Sequence, residues 1–345
     1  MRRSTSAAGE SGSTCWASSE GEGWGRAAPG KRSAAPASRG AAPAVLATPE
    51  GTRAVLRRFG IRPSKRWGQH FLVSQRALEQ ILGAAQLSPA DSVLEIGAGI
   101  GTLTAALAAR AGRVAAIEVD SRLLPALAAA VDAYPHVRIV PADALEADLA
   151  SLVVDLCGGA RKAVSNLPYN VAAPVLLRLL DPGLRLALIV VTVQREVAER
   201  ITAAPGTAAY GRLSVVVRYR AAARIVSRVP PGAFLPPPEV ESAIVELRPH
   251  PRPPAAVPDE HEFLRIVAAG FGHRRKTLAN ALARGLGLRP RIAEAACGAA
   301  GVDPRTRAET LDVEAFAALA RALHPLRPDE RSTGGPRDAP APPLG

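Results

Sequence analysis

Residues 93–104, VLEIGAGIGTLT, decide the fold of this chain. A short apolar run ends in three glycines at alternate positions, Gly97, Gly99 and Gly101, and residues 103–110 have the composition of a helix. Glycines permit the backbone angles of a tight turn, and their missing Cβ lets a ligand approach the main chain. A strand, a glycine turn and a helix in this order predict a doubly wound α/β sheet with a cofactor at the turn.

The spacing of the glycines indicates which cofactor is bound. The dinucleotide fingerprint is G-x-G-x-x-G/A, but here the sixth position is Thr102 and the third glycine comes one residue early. This spacing favours the turn of S-adenosylmethionine-dependent methyltransferases over that of NAD enzymes. The alternative is a turn that only tightens the connection between strand and helix.

An acid follows the next predicted strand, residues 113–117. Nucleoside-binding sheets place a carboxylate at the end of the second strand, where it accepts the ribose hydroxyls. Glu118 directly closes the strand and is the preferred candidate, while Asp120 is a second one. The third predicted strand, residues 137–140, leads to Asp143, which either accepts a hydrogen bond from an adenine amine or caps a short helix at 145–149.

The composition predicts a soluble protein. The chain has 345 residues, 48% of them hydrophobic, which is enough for two domains with buried cores. No apolar run reaches the length of a membrane span. Cys15, Cys157 and Cys297 form no C-x-x-C pair, so neither a disulfide framework nor a metal site is expected. We therefore expect a cytoplasmic protein without a membrane partner.

The charge predicts a polyanionic partner. The net charge is +12, but only four of the 43 basic residues are lysines, and this bias is also what GC-rich coding produces. The position of the arginines is therefore more informative than their number.

The chain divides into four predicted regions. Residues 1–48 and 326–345 are predicted to be disordered because they are rich in small residues and proline, without apolar periodicity. Residues 49–250 form the predicted α/β domain, and a Pro-rich boundary at 249–258 leads to a helical domain over 251–325. Its predicted helices cover residues 260–269, 275–283, 291–300 and 313–320.

The tetrapeptide Asn166-Leu167-Pro168-Tyr169 follows the fourth predicted strand, residues 163–165. An exocyclic adenine amine is a poor nucleophile because its lone pair is delocalised into the ring. The side-chain oxygen of Asn166 and the carbonyl of Leu167 would accept hydrogen bonds from that amine, Pro168 would stiffen the turn, and Tyr169 would stack on the base. A plain turn is the alternative, but it does not explain an aromatic residue at the edge of the sheet that carries the glycines.

These motifs, together with GQHFL at 68–72 and ADAL at 142–145, resemble the ribosomal RNA adenine N6-dimethyltransferases. Further matches to that family lie at residues 194–197, 210–214, 234–243 and 271–282, so the resemblance extends over roughly residues 53–323. NLPYN and RRKTLANAL resemble the type that dimethylates two adjacent adenosines in the 3′-terminal hairpin loop of small-subunit (16S) rRNA.

Three alternatives to this function stay open. The first is the related methylation of large-subunit (23S) rRNA, which confers drug resistance. The second is a non-catalytic ribosome-assembly factor that uses the same surface. The third, an NAD-dependent enzyme, is disfavoured by Thr102.

The resemblance implies roles for individual residues. The cofactor-binding residues would be Gln69, His70, Leu72, Gly97, Gly99, Glu118, Asp143, Ala144 and Asn166. The catalytic residues would be Asn166, Leu167, Pro168, Tyr169 and Phe234, with Phe234 stacking on the base from the face opposite Tyr169. Where the family usually has Asn, this chain has His70, which can still donate a hydrogen bond.

The implied partner is the small ribosomal subunit. Three successive cations, Arg274, Arg275 and Lys276, begin the second C-terminal helical pattern and are expected to contact RNA phosphates. A monomer is expected, without DNA as a partner.

Overall fold

The computed structural model describes residues 46–156, 161–273 and 275–325. Within these residues, seven strands form one mixed sheet in the order β4-β3-β2-β5-β6-β9-β7. The strands are β2 (Ser92–Ile96), β3 (Arg113–Glu118), β4 (Val137–Pro141), β5 (Arg161–Asn166), β6 (Leu188–Gln194), β7 (Ala221–Val229) and β9 (Ser242–Pro249). β2 to β6 are parallel, while β9 runs antiparallel between β6 and β7. The predicted doubly wound α/β fold is confirmed.

Helices cover both faces of the sheet. They are α1 (Pro49–Arg58), α2 (Gln75–Ala85), α3 (Thr102–Ala108), α4 (Leu124–Val131), α5 (Leu149–Asp155), α6 (Ala172–Leu179), α7 (Arg195–Thr202) and α8 (Arg212–Arg220). On one face, α2 and α3 pack on Val93 and its neighbours. On the other face, α5 and α6 pack on Leu94. Because both faces of the sheet are covered, all five residues of β2 are buried, and buried residues do not alternate with exposed ones.

Two predicted elements differ from the structure. The apolar run over residues 184–193 predicts a buried strand, but β6 begins only at Leu188, because the carboxylate of Asp181 accepts the N–H of Gly183 and caps a 3₁₀ turn, Pro182–Leu184. The prolines at residues 230–238 predict a stiff loop, but this segment contains a short strand, β8 (Phe234–Leu235), which pairs antiparallel with β1 (Phe71–Leu72).

Helix α1, near the start of the described residues, was not predicted from the sequence. Thr48 caps α1, since its hydroxyl accepts the N–H of Gly51 at 3.1 Å. Leu46 and Ala47 are buried, so the extension that we predicted to be disordered up to residue 48 ends at least three residues earlier. The remainder of that prediction, and the predicted tail at 326–345, lie outside the described residues.

Within residues 250–273 and 275–325, four helices follow the sheet: α9 (Glu260–Phe271), α10 (Leu278–Leu286), α11 (Pro290–Ala299) and α12 (Val313–Leu323). Their core includes residues from the other side of the predicted domain boundary, because Tyr219 of α8 packs on Phe263 with ring centroids 4.4 Å apart. Within the described residues, no helix is long and apolar enough to cross a membrane.

Candidate active site

A cavity opens at the carboxyl ends of β2, β3 and β5. It contains about 680 Å³ of empty space, part of it open to solvent, and is lined by residues from 67–72, 95–103, 118–123 and 166–169. Chain connections run in opposite directions from β2 and β5, which makes this the switch point where open α/β sheets bind ligands. The backbone pairing of β2 with β5 covers only Ser92–Leu94, and beyond it the hydroxyl of Ser165 accepts the N–H of Ile96 at 2.9 Å.

The glycine turn is tied to both neighbouring strands. The N–H groups of Gly97 and Ala98 both donate to the carbonyl of Ile117, at 2.9 and 3.1 Å. Gly97 has a φ of +76°, and a Cβ there would lie 3.0 Å from Cδ of Pro168. The turn and the NLPY segment are therefore in van der Waals contact, which only a residue without a side chain allows.

Glu118 stabilises the glycine turn by hydrogen bonds to the main chain. Its carboxylate accepts the N–H of Gly99 at 2.7 Å and that of Asp120 at 2.9 Å. Burial raises the pKa of Glu118, although these two N–H groups oppose the shift. Each carboxylate oxygen retains a second lone pair, so Glu118 can still accept hydrogen bonds from the hydroxyl groups of a ligand in the cavity.

Asp120, the second candidate for binding the ribose, forms hydrogen bonds with other side chains of the protein instead. Its carboxylate accepts hydrogen bonds from Arg122, at 2.6 and 2.9 Å, and from Gln69 at 2.7 Å. The hydrogen bond from Arg122 is the main reason that the pKa of Asp120 falls to about 2. Glu118 lines the cavity and Asp120 does not, so the geometry favours Glu118.

Gln69 and His70 line the cavity, but the polar atoms of their side chains form hydrogen bonds with other residues of the protein. The amide of Gln69 bridges Asp120 and the N–H of Ser64. Nδ1 of His70 lies 2.8 Å from the carbonyl oxygen of Pro236, which can only accept a hydrogen bond, and the ring stacks on Tyr169 with centroids 5.1 Å apart. The main-chain carbonyl of His70 accepts Nδ2 of Asn166 at 3.2 Å.

Asn166 is oriented by that hydrogen bond. With Nδ2 bound to the carbonyl of His70, the oxygen Oδ1 is buried and has no hydrogen-bond partner. A buried polar atom without a partner is costly and needs an explanation. Since Asn166 lines the cavity, its free acceptor is the atom that a ligand N–H group would satisfy.

The two predicted stacking residues are in contact with one another. The rings of Tyr169 and Phe234 lie edge to face at 6.5 Å with an angle of 77°, and Phe234 is 2% exposed. The hydroxyl of Tyr169 forms a short hydrogen bond with that of Ser242. The two rings do not form a parallel slot in this conformation, so stacking of a base by both remains a prediction.

Two predicted cofactor residues lie outside the cavity lining. The carboxylate of Asp143 accepts the N–H of Leu145 at 2.8 Å and stabilises a turn at 143–147. Its neighbour Ala144 is buried in the core beneath α5 and α6. The helix suggested at 145–149 is absent, because α5 begins at Leu149 with Asp148 as its cap. A role of Asp143 and Ala144 toward adenine stays a prediction.

Glu95 is a cavity residue that the sequence reasoning missed. It lines the cavity, is 2% exposed, and its Oε2 has no hydrogen-bond partner. Burial, with a contribution from Glu118, raises the pKa of Glu95 to about 8. The signal was an acid within the apolar run VLEI, because a carboxylate is rarely buried without a function or a partner.

The predicted RNA-binding cations precede their helix. Arg275 and Lys276 are exposed in a turn, and α10 begins only at Leu278 after Thr277. Positive charges are unfavourable within the first turn of a helix, which accounts for this later start. Arg274 lies outside the described residues.

The cavity fits S-adenosylmethionine. The glycine turn leaves room for a ligand at the main chain, Glu118 is placed at the end of the second strand of the nucleoside-binding unit, and Asn166 offers a free acceptor. Two acids, Glu95 and Glu118, line the cavity that would receive the positively charged cofactor. The fold and this site define an S-adenosylmethionine-dependent methyltransferase of the Rossmann-like class.

Comparison with known proteins identifies the family. Residues 61–324 match the model of the family described as ribosomal RNA adenine dimethylase, and the chain belongs to this family. It is 46% identical over 284 residues to "Ribosomal RNA small subunit methyltransferase A" of Pelotomaculum thermopropionicum, a match that covers 80% of this chain and 96% of that protein.

Two solved structures of related enzymes share the fold. A dimethyladenosine transferase from Plasmodium falciparum is 25% identical with a TM-score of 0.57, covering 74% of this chain and 97% of that one. The 23S rRNA methyltransferase ErmE is 26% identical with a TM-score of 0.55, covering 73% and 99%. The resemblance seen in the sequence is thereby confirmed.

Proposed function

We propose that this protein transfers methyl groups from S-adenosylmethionine to the N6 amines of two adjacent adenosines in the 3′-terminal hairpin loop of 16S rRNA, as part of small-subunit assembly. The observation that carries the proposal is the buried, unpartnered Oδ1 of Asn166 between the glycine turn and Tyr169. The curated relative named for the small subunit, at 46% identity, supports the small-subunit substrate over the 23S alternative.

The residues of the chain bind and orient the reactants. When bound, the cofactor supplies an electrophilic methyl group on a positively charged sulfur. Gly97, Gly99 and Glu118 would hold it, while Oδ1 of Asn166 and the carbonyl of Leu167 would accept both N–H groups of the target amine. These bonds favour the charge that develops on the nitrogen during transfer and fix its direction of approach. A strong base is unnecessary, because the nitrogen becomes acidic once it is alkylated.

Further parts of the proposal concern the partner and the setting. Arg275 and Lys276, together with Arg274, contact RNA phosphates and position the substrate without reading its bases. The target adenosine must be unpaired or turned out of its stack to enter the cavity. The enzyme acts as a monomer in the cytoplasm, with no role for DNA.

The test of the substrate uses labelled S-adenosylmethionine with undermethylated small subunits and, in parallel, with protein-free large-subunit RNA. We expect dimethyladenosine, identified by nucleoside mass spectrometry, only in the small subunit. Label confined to large-subunit RNA would replace the proposal with the resistance activity. Particle binding without any label would favour the assembly-factor alternative.

The test of the site is Asn166→Ala, with His70→Asn as the matched control. We expect Asn166→Ala to lower turnover by about 100-fold or more, since removal of one preorganised hydrogen-bond partner has effects of this size. RNA binding should change little. His70→Asn should keep turnover within about threefold, because the main-chain carbonyl at position 70 orients Asn166. Near-normal turnover of Asn166→Ala would refute the assigned role.

A further inference from the structure

The N-terminal helix and the loop after it carry a concentration of positive charge. Residues 49–66 contain six basic residues and a single acid, Glu50. Five arginines of this segment are exposed: Arg53, Arg57, Arg58, Arg62 and Arg66. The ion pair between Arg53 and Glu50 is long, at 3.9 Å, and both side chains are more than half exposed. Such a pair neutralises little of the charge.

Three of these arginines surround a surface hollow, which we call the basic hollow. It is lined by Arg53, Leu56, Arg57, Gly60, Ile61 and Arg62. Gly60 has a φ of +63°, and a Cβ at that position would meet no atom within 4 Å, so the backbone is open to a ligand here. Guanidinium groups at the rim of an open hollow match the geometry of phosphate oxygens.

The floor of the basic hollow belongs to the same apolar cluster as part of the wall of the cofactor cavity. Leu56 and Ile61 belong to one apolar cluster with Phe71 and Ile100, and these last two line the cofactor cavity. Leu56 and Ile61 lie on the side of the hollow, and Phe71 and Ile100 lie on the side of the cavity, so one apolar cluster separates the two. The chain also leads directly from Arg62 to Trp67 and Gln69, which line the same cavity.

We propose that the basic hollow binds the phosphate backbone of the substrate RNA next to the target adenosine. Two features on different elements support this: three arginines around an open hollow, and an apolar cluster that joins its floor to the wall of the cavity. Helix α1 precedes the region matched by the family model, which begins at residue 61. The proposal rests on the function proposed above, since it takes the RNA substrate from there.

The contact has a distinct role from that of Arg275 and Lys276. Those cations precede α10 in the helical region, whereas the basic hollow adjoins the cavity itself. A phosphate held in the hollow fixes the RNA strand near the reacting amine. Loss of the hollow should therefore raise the KM for RNA and leave the affinity for the cofactor unchanged, because no arginine of the hollow lines the cofactor cavity.

The experiment compares the triple variant Arg53→Gln, Arg57→Gln, Arg62→Gln with a control triple variant of equal charge change, Arg76→Gln, Arg252→Gln, Arg265→Gln. The control arginines are exposed and lie outside the hollow. Binding of the protein-free 3′-terminal hairpin of 16S rRNA is measured at several salt concentrations. We expect the hollow variant to lose about 2 from the slope of log K against log salt, as three lost phosphate contacts imply, and to bind about tenfold more weakly at low salt.

Separate readouts distinguish the possible failures. Binding of S-adenosylhomocysteine, measured by calorimetry, and the melting temperature should equal those of the wild type. A hollow variant with the salt slope of the control variant would overturn the proposal, and so would a wild type that does not bind the hairpin. Methyl transfer by the wild type is scored independently, and its absence on small subunits refutes the proposed function even where the hollow still governs the salt slope.

Discussion

Glu95 is a buried acid whose ionisation is coupled to folding. Its carboxyl is 2% exposed, and burial raises its pKa from 4.5 to about 8. Between these pH values the folded protein holds a proton that the unfolded chain releases. The free energy of unfolding should therefore fall as the pH rises through this window, with a slope of up to about 1.4 kcal/mol per pH unit.

Glu95→Gln should remove that slope, because the amide imitates the protonated acid at every pH. We expect the variant and the wild type to be equally stable below pH 4.5 and the variant to be more stable at pH 8. The measurement is urea denaturation without cofactor across this range. Glu146→Gln, at an exposed acid, is the control and should keep the wild-type slope. Parallel curves for Glu95→Gln and wild type would show that the buried acid is ionised.

At the scale of elements, the end of the glycine turn packs closely against helix α4. Gly101 has a φ of +89°, and a Cβ there would lie 2.7 Å from Cβ of Ala130. The resemblance implied a cofactor role only for Gly97 and Gly99, and the structure shows that the third glycine allows two helices to pack closely. Gly97 and Gly99 are the ones that line the cavity.

Gly101→Ala should destabilise the protein by about 2 kcal/mol, since it adds an overpacked methyl group and a strained backbone angle. Gly83→Ala is the control, because its added methyl meets no atom within 4 Å in helix α2, and it should be neutral or stabilising. In the double variant Gly101→Ala, Ala130→Gly, relief of the contact should make the total loss smaller than the sum of the single losses. Additive losses would show that the contact is unimportant.

Much of the fold was predictable from local patterns. The apolar runs and their polar ends located β2 to β5 within one or two residues. The pairing of β1 with β8 was not predictable, because it joins residues more than 160 positions apart in strands of two residues. For the same reason, the hydrogen bond from Asn166 to the carbonyl of His70 has no signature in the sequence.

At the scale of the whole molecule, the helical region and the sheet region share a hydrophobic core. Tyr210, Val215 and Tyr219 pack with residues of α9 to α12, and the hydroxyl of Tyr210 donates to the carbonyl of Leu311 at 2.8 Å. Burial raises the pKa of Tyr210 to about 12, so this donor keeps its proton at neutral pH. The Pro-rich boundary at 249–258 therefore separates segments of the chain that are joined by a common core.

The variant Phe263→Ala tests whether the sheet region and the helical region unfold together. The ring is fully buried against Tyr219, and its removal should cost about 3 to 5 kcal/mol. We expect calorimetry to show one transition, shifted to lower temperature, in which the sheet and the helices unfold together. His261→Ala, at an exposed position of the same helix, should leave the melting temperature unchanged. Two separate transitions in Phe263→Ala would mean that the regions are independent.

The place of β9 in the sheet also has a consequence for biosynthesis. β9 leaves the ribosome after both of its neighbours, β6 and β7, so the edge of β6 stays unpaired until residue 249 has been made. That edge belongs to the apolar sequence LIVVTV, and an unpaired apolar edge can form strand pairs with other polypeptide chains. A polypeptide that terminates before β9 is therefore expected to aggregate instead of forming a smaller enzyme, and folding of the nascent protein is completed late.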